Sequence, residues 1–263
     1  MTDITSTANP KIKRVLDLRK RKVRDEEDLF LIEGYRELKR AVEAGIEIET
    51  IFYCEEFFLK DNELKLIDKR PSFSCSRAAF EKISYRDRPD GLLAIARKRH
   101  RNLADLERLL ADKKAPFLMI AESIEKPGNL GTMLRSCDGA GCDALIVCDP
   151  VTDIYNPNTV RASIGTLFTV PVIEASSEEM FSFLRQAGIL SVAATPHAKK
   201  LYSSVDLTKG IAIIIGSEQY GLSKLWMENS DMPVSIPQRG SADSLNAAMA
   251  ATILLYEVTR QRA

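Results

Sequence analysis

Two polar, glycine-bearing loops in the last quarter of the chain carry residues suited to chemistry. The first loop follows the apolar run Ile211–Ile215 and contains Glu218 between two glycines. The second follows Val234–Ile236 and contains Ser244 and Asn246, just before a strongly helical segment. A β-branched run that ends in a polar loop is typical of a buried parallel strand, and open α/β sheets bind ligands at the carboxyl ends of such strands. We therefore expect the two loops to form one site.

A third polar motif lies upstream, in a helix predicted after the strand Phe117–Ala121. It consists of an Asn, a Gly two residues later and an Arg four residues after that: Asn129, Gly131 and Arg135. Gly131 and Arg135 share a helix face because they are four residues apart, and the glycine leaves space beside the guanidinium. Arginine hardly loses its proton in proteins. A planar fork that binds phosphate and orients a reacting hydroxyl is therefore a better physical role for Arg135 than a general base.

These motifs, in this order, resemble the signature motifs of the SpoU (TrmH-like) class of the SPOUT superfamily. The resemblance is carried by NLGTMLR at 129–135, IIIGSEQYGL at 213–222 and IPQRGSADSLNAA at 236–248. Enzymes of this class transfer a methyl group from S-adenosylmethionine to a ribose 2′-hydroxyl of RNA. The resemblance implies a catalytic set made of Arg135, Asn129, Glu218, Ser244 and Asn246. In that set the glutamate would orient the arginine or Asn129, and Ser244 and Asn246 would lie by the target ribose or the methionine part of the cofactor.

The resemblance also implies an adenosine pocket built from three loops, with Thr195, Gly216, Ile236 and Leu245 as its residues. Main-chain groups near the first two would bind the adenine edge, and Ile236 and Leu245 would supply apolar walls. The recurrent stretch RASIG places Arg161 where the family uses an arginine to reach the partner subunit's site or the RNA. The family works as a homodimer and folds its C-terminal chain through a trefoil knot, an exception to the rule that chains are unknotted.

The order of predicted elements indicates an α/β protein with two domains. Residues 1–100 alternate between strands and helices and form a small α/β domain. Its stretches NPKIK, FLIEG and PDGLLA resemble the RNA-binding domain of many SpoU enzymes, which is similar to a small ribosomal protein. Residues 101–115 are predicted to be a linker with a polar helix. Residues 116–263 alternate again, which predicts a parallel-sheet SPOUT methyltransferase domain.

The individual elements predicted for the second domain can be compared with the structure below. Its strands are predicted at Phe117–Ala121, Ala144–Cys148, Val170–Ile173, Leu190–Ala194, Ile211–Ile215 and Val234–Ile236. Its helices are predicted around 130–140, 178–187 and 246–260, with Ser244 or Asn246 as the N-cap of the last one.

Residues 9–24 are predicted to form one amphipathic helix with eight basic residues. Clustered cations are what RNA phosphates need, so this helix is a candidate RNA surface. The acidic run at 25–28 leaves an alternative, in which the basic residues are neutralised on an ordinary solvated face.

Composition limits the classes of protein to consider. The chain has 263 residues, 45% of them apolar, and a formal net charge of zero, so an RNA surface has to be a local patch. No apolar run reaches the roughly 20 residues of a membrane helix, and the N-terminus lacks a signal-peptide pattern. We therefore expect a cytoplasmic protein without membrane contact. Five cysteines without a CxxC pair, and only two histidines, predict reduced thiols and no metal site.

The sequence therefore predicts an S-adenosylmethionine-dependent RNA 2′-O-ribose methyltransferase, with 23S ribosomal RNA favoured because of the N-terminal domain. A tRNA methyltransferase and a catalytically inactive RNA-binding relative remain as alternatives. A nucleotide-dependent oxidoreductase is disfavoured. The stretch GAGCDA at 139–144 does fit the dinucleotide motif G-x-G-x-x-A, but it follows a helix and precedes a strand, which is the reverse of the required context. Its glycines are better interpreted as a helix C-cap.

Overall fold

The computed structural model describes residues 3–59, 62–68, 70–241 and 244–263, and the chain divides into two compact units. The first unit contains Met1–Arg99 together with Asp153–Thr169, and the second contains His100–Thr152 and Val170–Ala263. The chain thus passes from one unit to the other after Arg99, after Thr152 and after Thr169. The segment 153–169 lies within the range 116–263 that the sequence assigns to the methyltransferase domain, yet it folds with the first unit.

The helices and strands alternate along most of the chain. The strands are β1 (Leu29–Glu33), β2 (Ile48–Tyr53), β3 (Ser72–Ser74), β4 (Leu92–Arg97), β5 (Phe117–Glu122), β6 (Ala144–Cys148), β7 (Val172–Ala175), β8 (Leu190–Ala194), β9 (Ile211–Ile215) and β10 (Met232–Val234). The helices are α1 (Pro10–Asp17), α2 (Arg21–Glu27), α3 (Tyr35–Glu43), α4 (Glu63–Ile67), α5 (Arg77–Ile83), α6 (Leu103–Leu110), α7 (Pro127–Ala140), α8 (Pro157–Ser163), α9 (Thr166–Thr169), α10 (Ser177–Ala187), α11 (Lys224–Asn229) and α12 (Ala247–Arg262). In the described ranges no helix combines the length and the apolarity needed to cross a bilayer.

The first unit is built on a sheet of order β1-β4-β2-β3, in which β4 is antiparallel to both neighbours and β3 is parallel to β2. Apolar residues of α1 and α5, among them Ile12 and Phe80, join one hydrophobic core with residues of the strands. Phe30 of β1 instead packs against Tyr155 and Phe168, with ring centroids 4.5 Å and 6.0 Å away. Helix α8 packs on β1, and α9 packs on α3. These aromatic and helical contacts explain why 153–169 belongs to this unit.

A buried ion pair adds a polar contact between that segment and the rest of the unit. Arg24 is 1% exposed and donates through Nε and Nη2 to Asp153 Oδ2, at 2.9 Å and 2.7 Å. Its Nη1 donates to the carbonyl oxygens of Leu18 and Arg19. Asp153 Oδ1 accepts from the backbone N–H of Tyr155 at 2.8 Å, so the pair also shapes the start of the segment.

The prediction of a single helix over residues 9–24 is wrong. Helix α1 ends at Asp17, and α2 begins at Arg21 and continues through the acidic run to Glu27. The break frees the carbonyl groups of Leu18 and Arg19, and the guanidinium of Arg24 binds both of them. In a continuous helix these two carbonyls would accept from backbone N–H groups four residues further along, so binding by Arg24 replaces the bonds that the periodicity predicts.

The second unit contains a parallel six-stranded sheet of order β10-β8-β9-β5-β6-β7, as the sequence predicts. The predicted bounds of β6, β8 and β9 are confirmed. Strand β7 begins two residues later than predicted, after Pro171, whose carbonyl oxygen accepts from Leu145 N. Strand β10 ends at Val234 rather than Ile236, because its ladder with β8 covers Val192–Ala194 only. Helix α11, like the short helices α8 and α9 of the first unit, escaped prediction because four to seven residues show little periodicity.

Candidate functional site

A cavity of about 340 Å³ lies at the carboxyl ends of β8, β9 and β10. Its walls include five of the predicted site residues: Thr195, Glu218, Ile236, Ser244 and Leu245. Ile236 can line the cavity because it lies beyond the last ladder pair of β10. Thr195 is buried, and its backbone N–H donates to Val234 O at 2.9 Å, which fixes the loop after β8 against β10. The structure thus brings the predicted loops together at one edge of the sheet.

Gly216, the remaining residue predicted for the cofactor, is buried and is absent from the cavity wall. A Cβ atom at this position would collide with the backbone of Gly221 and Leu222. The loop between them closes through two backbone hydrogen bonds joining Ser217 and Gly221, at 3.1 Å and 3.0 Å. Gly216 therefore allows the chain to turn back on itself, so that Ser217 and Glu218 reach the cavity.

Beside the cavity, three predicted catalytic side chains form a hydrogen-bonded cluster. Asn129 Nδ2 donates to Glu218 Oε1 at 2.7 Å, and Asn246 Nδ2 donates to the same oxygen at 2.6 Å. Asn246 Nδ2 also lies 3.1 Å from Asn129 Oδ1. We name Asn129, Glu218 and Asn246 the amide–carboxylate cluster. Of the two residues that the sequence analysis proposed for the glutamate to orient, Asn129 is the one to which it is hydrogen-bonded.

Asn246 is also the N-cap of α12, which confirms one of the two predicted caps. Its Oδ1 accepts from Ala248 N at 3.0 Å and from Met249 N at 3.3 Å. Since the oxygen is engaged by the helix, the amide nitrogen must face Glu218. A single side chain therefore both begins the last helix and completes the cluster.

Sequence reasoning missed Lys126, the residue directly before α7. Its ammonium forms an ion pair with Glu218 Oε2, the oxygen that the amides leave free. Hydrogen bonding to Lys126 is the largest influence on the pKa of Glu218, and together with the bond from Asn129 it holds that pKa below its usual range. The carboxyl is thus anionic around neutral pH. Nothing in the sequence distinguishes this lysine from an ordinary surface lysine, so only the fold reveals it.

Glu122, at the end of β5, is a second residue that sequence reasoning missed. It is 2% exposed, with Oε1 accepting from Ser177 Oγ at 3.0 Å and Oε2 accepting from Ser223 N at 2.8 Å. Ser223 follows the cavity residue Leu222, so the carboxylate anchors the far end of the loop that carries Glu218. An acidic residue directly after the apolar run Phe117–Ala121 is the sequence signal that points to it.

Arg135 lies on α7 with its side chain exposed. Within the described residues it forms no hydrogen bond or ion pair, and the structure does not join it to the cluster. Gly131, four residues earlier, is buried. A free guanidinium on the helix that carries Asn129 is available to an anionic substrate.

Arg161, predicted to contact a partner subunit or RNA, lies on α8 and therefore in the first unit. It is exposed and contributes to a small hollow together with Arg19 and Tyr85. The Arg19 guanidinium lies over the Tyr85 ring, 5.2 Å from its centroid. This places a cation and an aromatic ring next to the arginine that the RASIG stretch singled out.

The other sequence expectations about the site can be compared directly. The interpretation of the glycines in GAGCDA as a helix C-cap is confirmed for Gly141, which has φ 77° and caps α7 in the left-handed conformation, whereas Gly139 lies within the helix. The five cysteines are free thiols. Among the residues that the structure describes, no group of three or more His, Cys, Asp or Glu side chains is placed to hold a metal ion.

A parallel α/β sheet with a ligand-sized cavity and a polar cluster at its carboxyl edge defines a ligand-binding enzyme domain. This chain belongs to the SpoU rRNA Methylase family, which matches residues 116–256. An MRM3-like substrate binding domain matches residues 9–94. The resemblance identified in the three sequence motifs is therefore confirmed.

Relatives and solved structures agree with that assignment. The 23S rRNA (guanosine(2553)-2′-O)-methyltransferase RlmP of Bacillus subtilis is 28% identical over 261 residues, covering 98% of this chain and 99% of that protein. The 23S rRNA (uridine(2479)-2′-O)-methyltransferase of Streptomyces viridochromogenes is 33% identical over 243 residues, covering 89% and 83%. An AdoMet-bound rRNA methyltransferase structure from Sinorhizobium meliloti has a TM-score of 0.88 at 29% identity, covering 98% of this chain and 97% of that one.

Proposed function

We propose that this protein transfers a methyl group from S-adenosylmethionine to a ribose 2′-hydroxyl of 23S ribosomal RNA. The observation that carries the proposal is the convergence of three separate sequence motifs on one cavity and its amide–carboxylate cluster. Family membership supports the chemistry, and the names of the relatives support 23S RNA as the substrate.

The cavity suits the cofactor. Its volume of about 340 Å³ lies within the range of roughly 300–1,000 Å³ typical of small-molecule sites. Ile236 and Leu245 offer apolar walls for the adenine ring, and the backbone near Thr195 offers polar groups for its edge. Gly216 shapes the loop of residues 217–221, which carries Glu218 to the cavity. S-adenosylmethionine supplies an electrophilic methyl group on a positively charged sulfur, and its methionine part would lie toward Ser244 and Glu218.

In the proposed reaction the ribose 2′-oxygen attacks the methyl carbon, a C–O bond forms, the C–S bond breaks and the hydroxyl proton leaves. Glu218 is a poor base for that proton, because both of its oxygens are engaged and its pKa is lowered. We assign the amide–carboxylate cluster to orientation, and Arg135 to a planar fork that binds RNA phosphate and aligns the hydroxyl. The proton is then released to solvent after attack has begun.

We assign RNA binding to the domain of residues 1–100, joined through 101–115 to a methyltransferase domain over 116–263, except that the segment 153–169 folds with the first unit. The match of an MRM3-like substrate binding domain supports this assignment. The basic stretch 9–24 is a weak candidate for the contact surface, since most of its cations have partners within the first unit. Arg14 pairs with Glu27 and Glu49, and Arg24 pairs with Asp153. The exposed Arg161 of α8 is a better candidate, for RNA or for a partner subunit.

We further propose a homodimer with a knotted C-terminal chain, located in the cytoplasm, as the SpoU resemblance implies. Two exposed apolar side chains on one face of α12 support the dimer: Met249 and Tyr256, two helical turns apart, are 63% and 50% exposed. Light scattering of the purified protein tests this, because Tyr256→Glu should convert dimers to monomers while wild-type protein stays dimeric.

The experiment that tests the function uses labelled S-adenosylmethionine with separate 23S, 16S and transfer RNA pools that lack the modification. We expect label in 23S RNA with wild-type protein, and none with Arg135→Ala. Label in tRNA would establish the alternative substrate. Cofactor and RNA binding without transfer to any pool would establish the inactive relative. As a control for the pocket, Ala250→Trp should fill the cavity and abolish cofactor binding in calorimetry.

A further inference from the structure

Lys126 and the amide–carboxylate cluster divide the two oxygens of Glu218 between them. The ammonium of Lys126 binds Oε2, whereas the amides of Asn129 and Asn246 both donate to Oε1, at 2.7 Å and 2.6 Å. The lysine side chain is 68% exposed and that of Glu218 is 22% exposed. A long, solvent-exposed side chain is therefore held on the wall residue of the cofactor cavity rather than extended into water.

This arrangement matters because Oε1 must accept from two donors at once. A carboxylate oxygen does this well because its hydrogen bonds are charge-assisted. If Oε2 took up a proton in place of the lysine, Oε1 would become an uncharged carbonyl oxygen and would hold the two amides more weakly. The groups that face Glu218 come from two elements. Lys126 and Asn129 lie at the start of α7, while Asn246 and the backbone N–H of Ala247 lie at the start of α12. Lys126 is the cation among them.

We propose that Lys126 is a positioning residue for methyl transfer. Its ammonium holds one oxygen of Glu218, so that the other oxygen aligns Asn129 and Asn246 beside the cofactor. The inference rests on the proposed function of the site, and it assigns Lys126 no contact with the reacting atoms. Lys126 binds before chemistry and stays bound, acting through Glu218 on the two amides that edge the cavity.

The kinetic test compares Lys126→Met with Lys126→Arg, and uses Lys224→Met as a matched loss of an exposed lysine elsewhere in the second unit. Because the pair is partly exposed, we expect kcat of Lys126→Met to fall by up to about fivefold. The acid limb of its pH profile should move up by up to about 0.7 pH units, since Glu218 then protonates more readily. The KM for RNA should change less than about twofold. Lys126→Arg should keep the wild-type kcat and the wild-type acid limb, and so should Lys224→Met.

A raised KM for RNA with an unchanged kcat and acid limb would show that Lys126 contacts RNA, and would overturn the proposal. A double substitution gives a second criterion. In a Glu218→Gln background the carboxylate is already gone, so Lys126→Met should cause no further loss. Independent, multiplying losses would contradict a role that acts through Glu218.

A measurement without RNA separates this inference from the proposed function. The Glu218 carboxyl carbon is followed by ¹³C NMR during a pH titration of the cofactor-free protein. Its midpoint should rise in Lys126→Met and remain at the wild-type position in Lys126→Arg and Lys224→Met. An unchanged midpoint in Lys126→Met would overturn the inference even in an active enzyme. Absence of methyl transfer with a raised midpoint would overturn the proposed function and leave the pair intact.

Discussion

Replacing Asn246 by aspartate separates its two structural roles. In Asn246→Asp the oxygen that accepts from Ala248 N and Met249 N is retained, and aspartate caps helices as well as asparagine does. The amide nitrogen that donates to Glu218 at 2.6 Å becomes a carboxylate oxygen. Helix α12 should therefore still begin at the same residue, while the amide–carboxylate cluster loses a donor and gains a second negative charge.

The size of the effect follows from the bonds that are lost. A hydrogen bond to a charged group contributes about 1.5–3 kcal/mol, and about 1.4 kcal/mol corresponds to a factor of ten in rate. We therefore expect methyl transfer at pH 8 to fall by roughly a hundredfold. The free energy of unfolding should change by less than about 1 kcal/mol, because the cap remains. Asn102→Asp, the same change at the N-cap of α6, is the matched control and should leave the rate unaltered.

The pH dependence gives the sharpest result. Two carboxyl groups that share a site cannot both stay ionised easily, so the pKa of one of them rises strongly. As the pH falls from 8 toward 5.5, the introduced carboxyl takes up a proton and can donate to Glu218 again. The ratio of variant to wild-type rate, measured by label transfer at each pH, should therefore rise as the pH falls. A flat or falling ratio would refute the view that Asn246 serves the cluster through its donated hydrogen bond.

Three further predictions concern the fold and the thiols. Asp153→Asn should lower the free energy of unfolding in urea by about 3 kcal/mol, because it leaves the buried Arg24 guanidinium without its carboxylate. As a control, Glu81→Gln in an exposed ion pair should lower it by less than about 0.5 kcal/mol. Equal effects would contradict a stabilising role of the buried pair for segment 153–169. Gly216→Ala should lower the free energy of unfolding by roughly 1–3 kcal/mol in the same assay, because the added Cβ collides with the backbone of Gly221 and Leu222. It should also weaken cofactor binding. A wild-type free energy of unfolding would show that the loop can open to admit the Cβ. Burial raises the pKa of the Cys148 thiol well above its usual value. Iodoacetamide at pH 8 should therefore label the partly exposed Cys142 before Cys148, as followed by mass spectrometry. Labelling of Cys148 first would contradict its burial.

The sequence was sufficient where a strong local pattern decided the structure. Short apolar runs rich in β-branched residues, such as Ile211–Ile215, favour buried strands, and the predicted bounds of this one are confirmed. The loops after these strands were predicted to meet because parallel strands present their carboxyl ends at one edge. The cavity contacts of Thr195, Ile236 and Leu245 agree with that reasoning.

The sequence was insufficient where a distant partner decided the structure. The guanidinium of Arg24, which binds the carbonyls at the break between α1 and α2, also reaches Asp153, 129 positions along the chain. The same contact helps place 153–169 in the first unit, and no pattern around residue 153 announces it. Deleting residues 1–100 would consequently expose Phe168 and leave Asp153 without its cation, so substitutions in the full chain are the better test of the RNA-binding domain.

The cluster shows both cases together. Asn129, Glu218 and Asn246 were identified because their motifs are distinctive, and their mutual hydrogen bonds follow from the sheet topology. Lys126 has no distinctive pattern, and its role depends on the direction in which a flexible side chain points. Local sequence cannot encode that direction, because it is set by the position of Glu218 in the fold.

The position and chemistry of the transferred methyl group test the central claim most directly. Modified 23S RNA is hydrolysed in alkali, where a 2′-O-methyl group blocks cleavage of the adjoining phosphodiester, and the resistant dinucleotide is identified by mass spectrometry. We predict one resistant dinucleotide, which carries the label with wild-type protein and is missing with Arg135→Ala. Label on a base, with every phosphodiester cleaved, would contradict methyl transfer to a ribose hydroxyl.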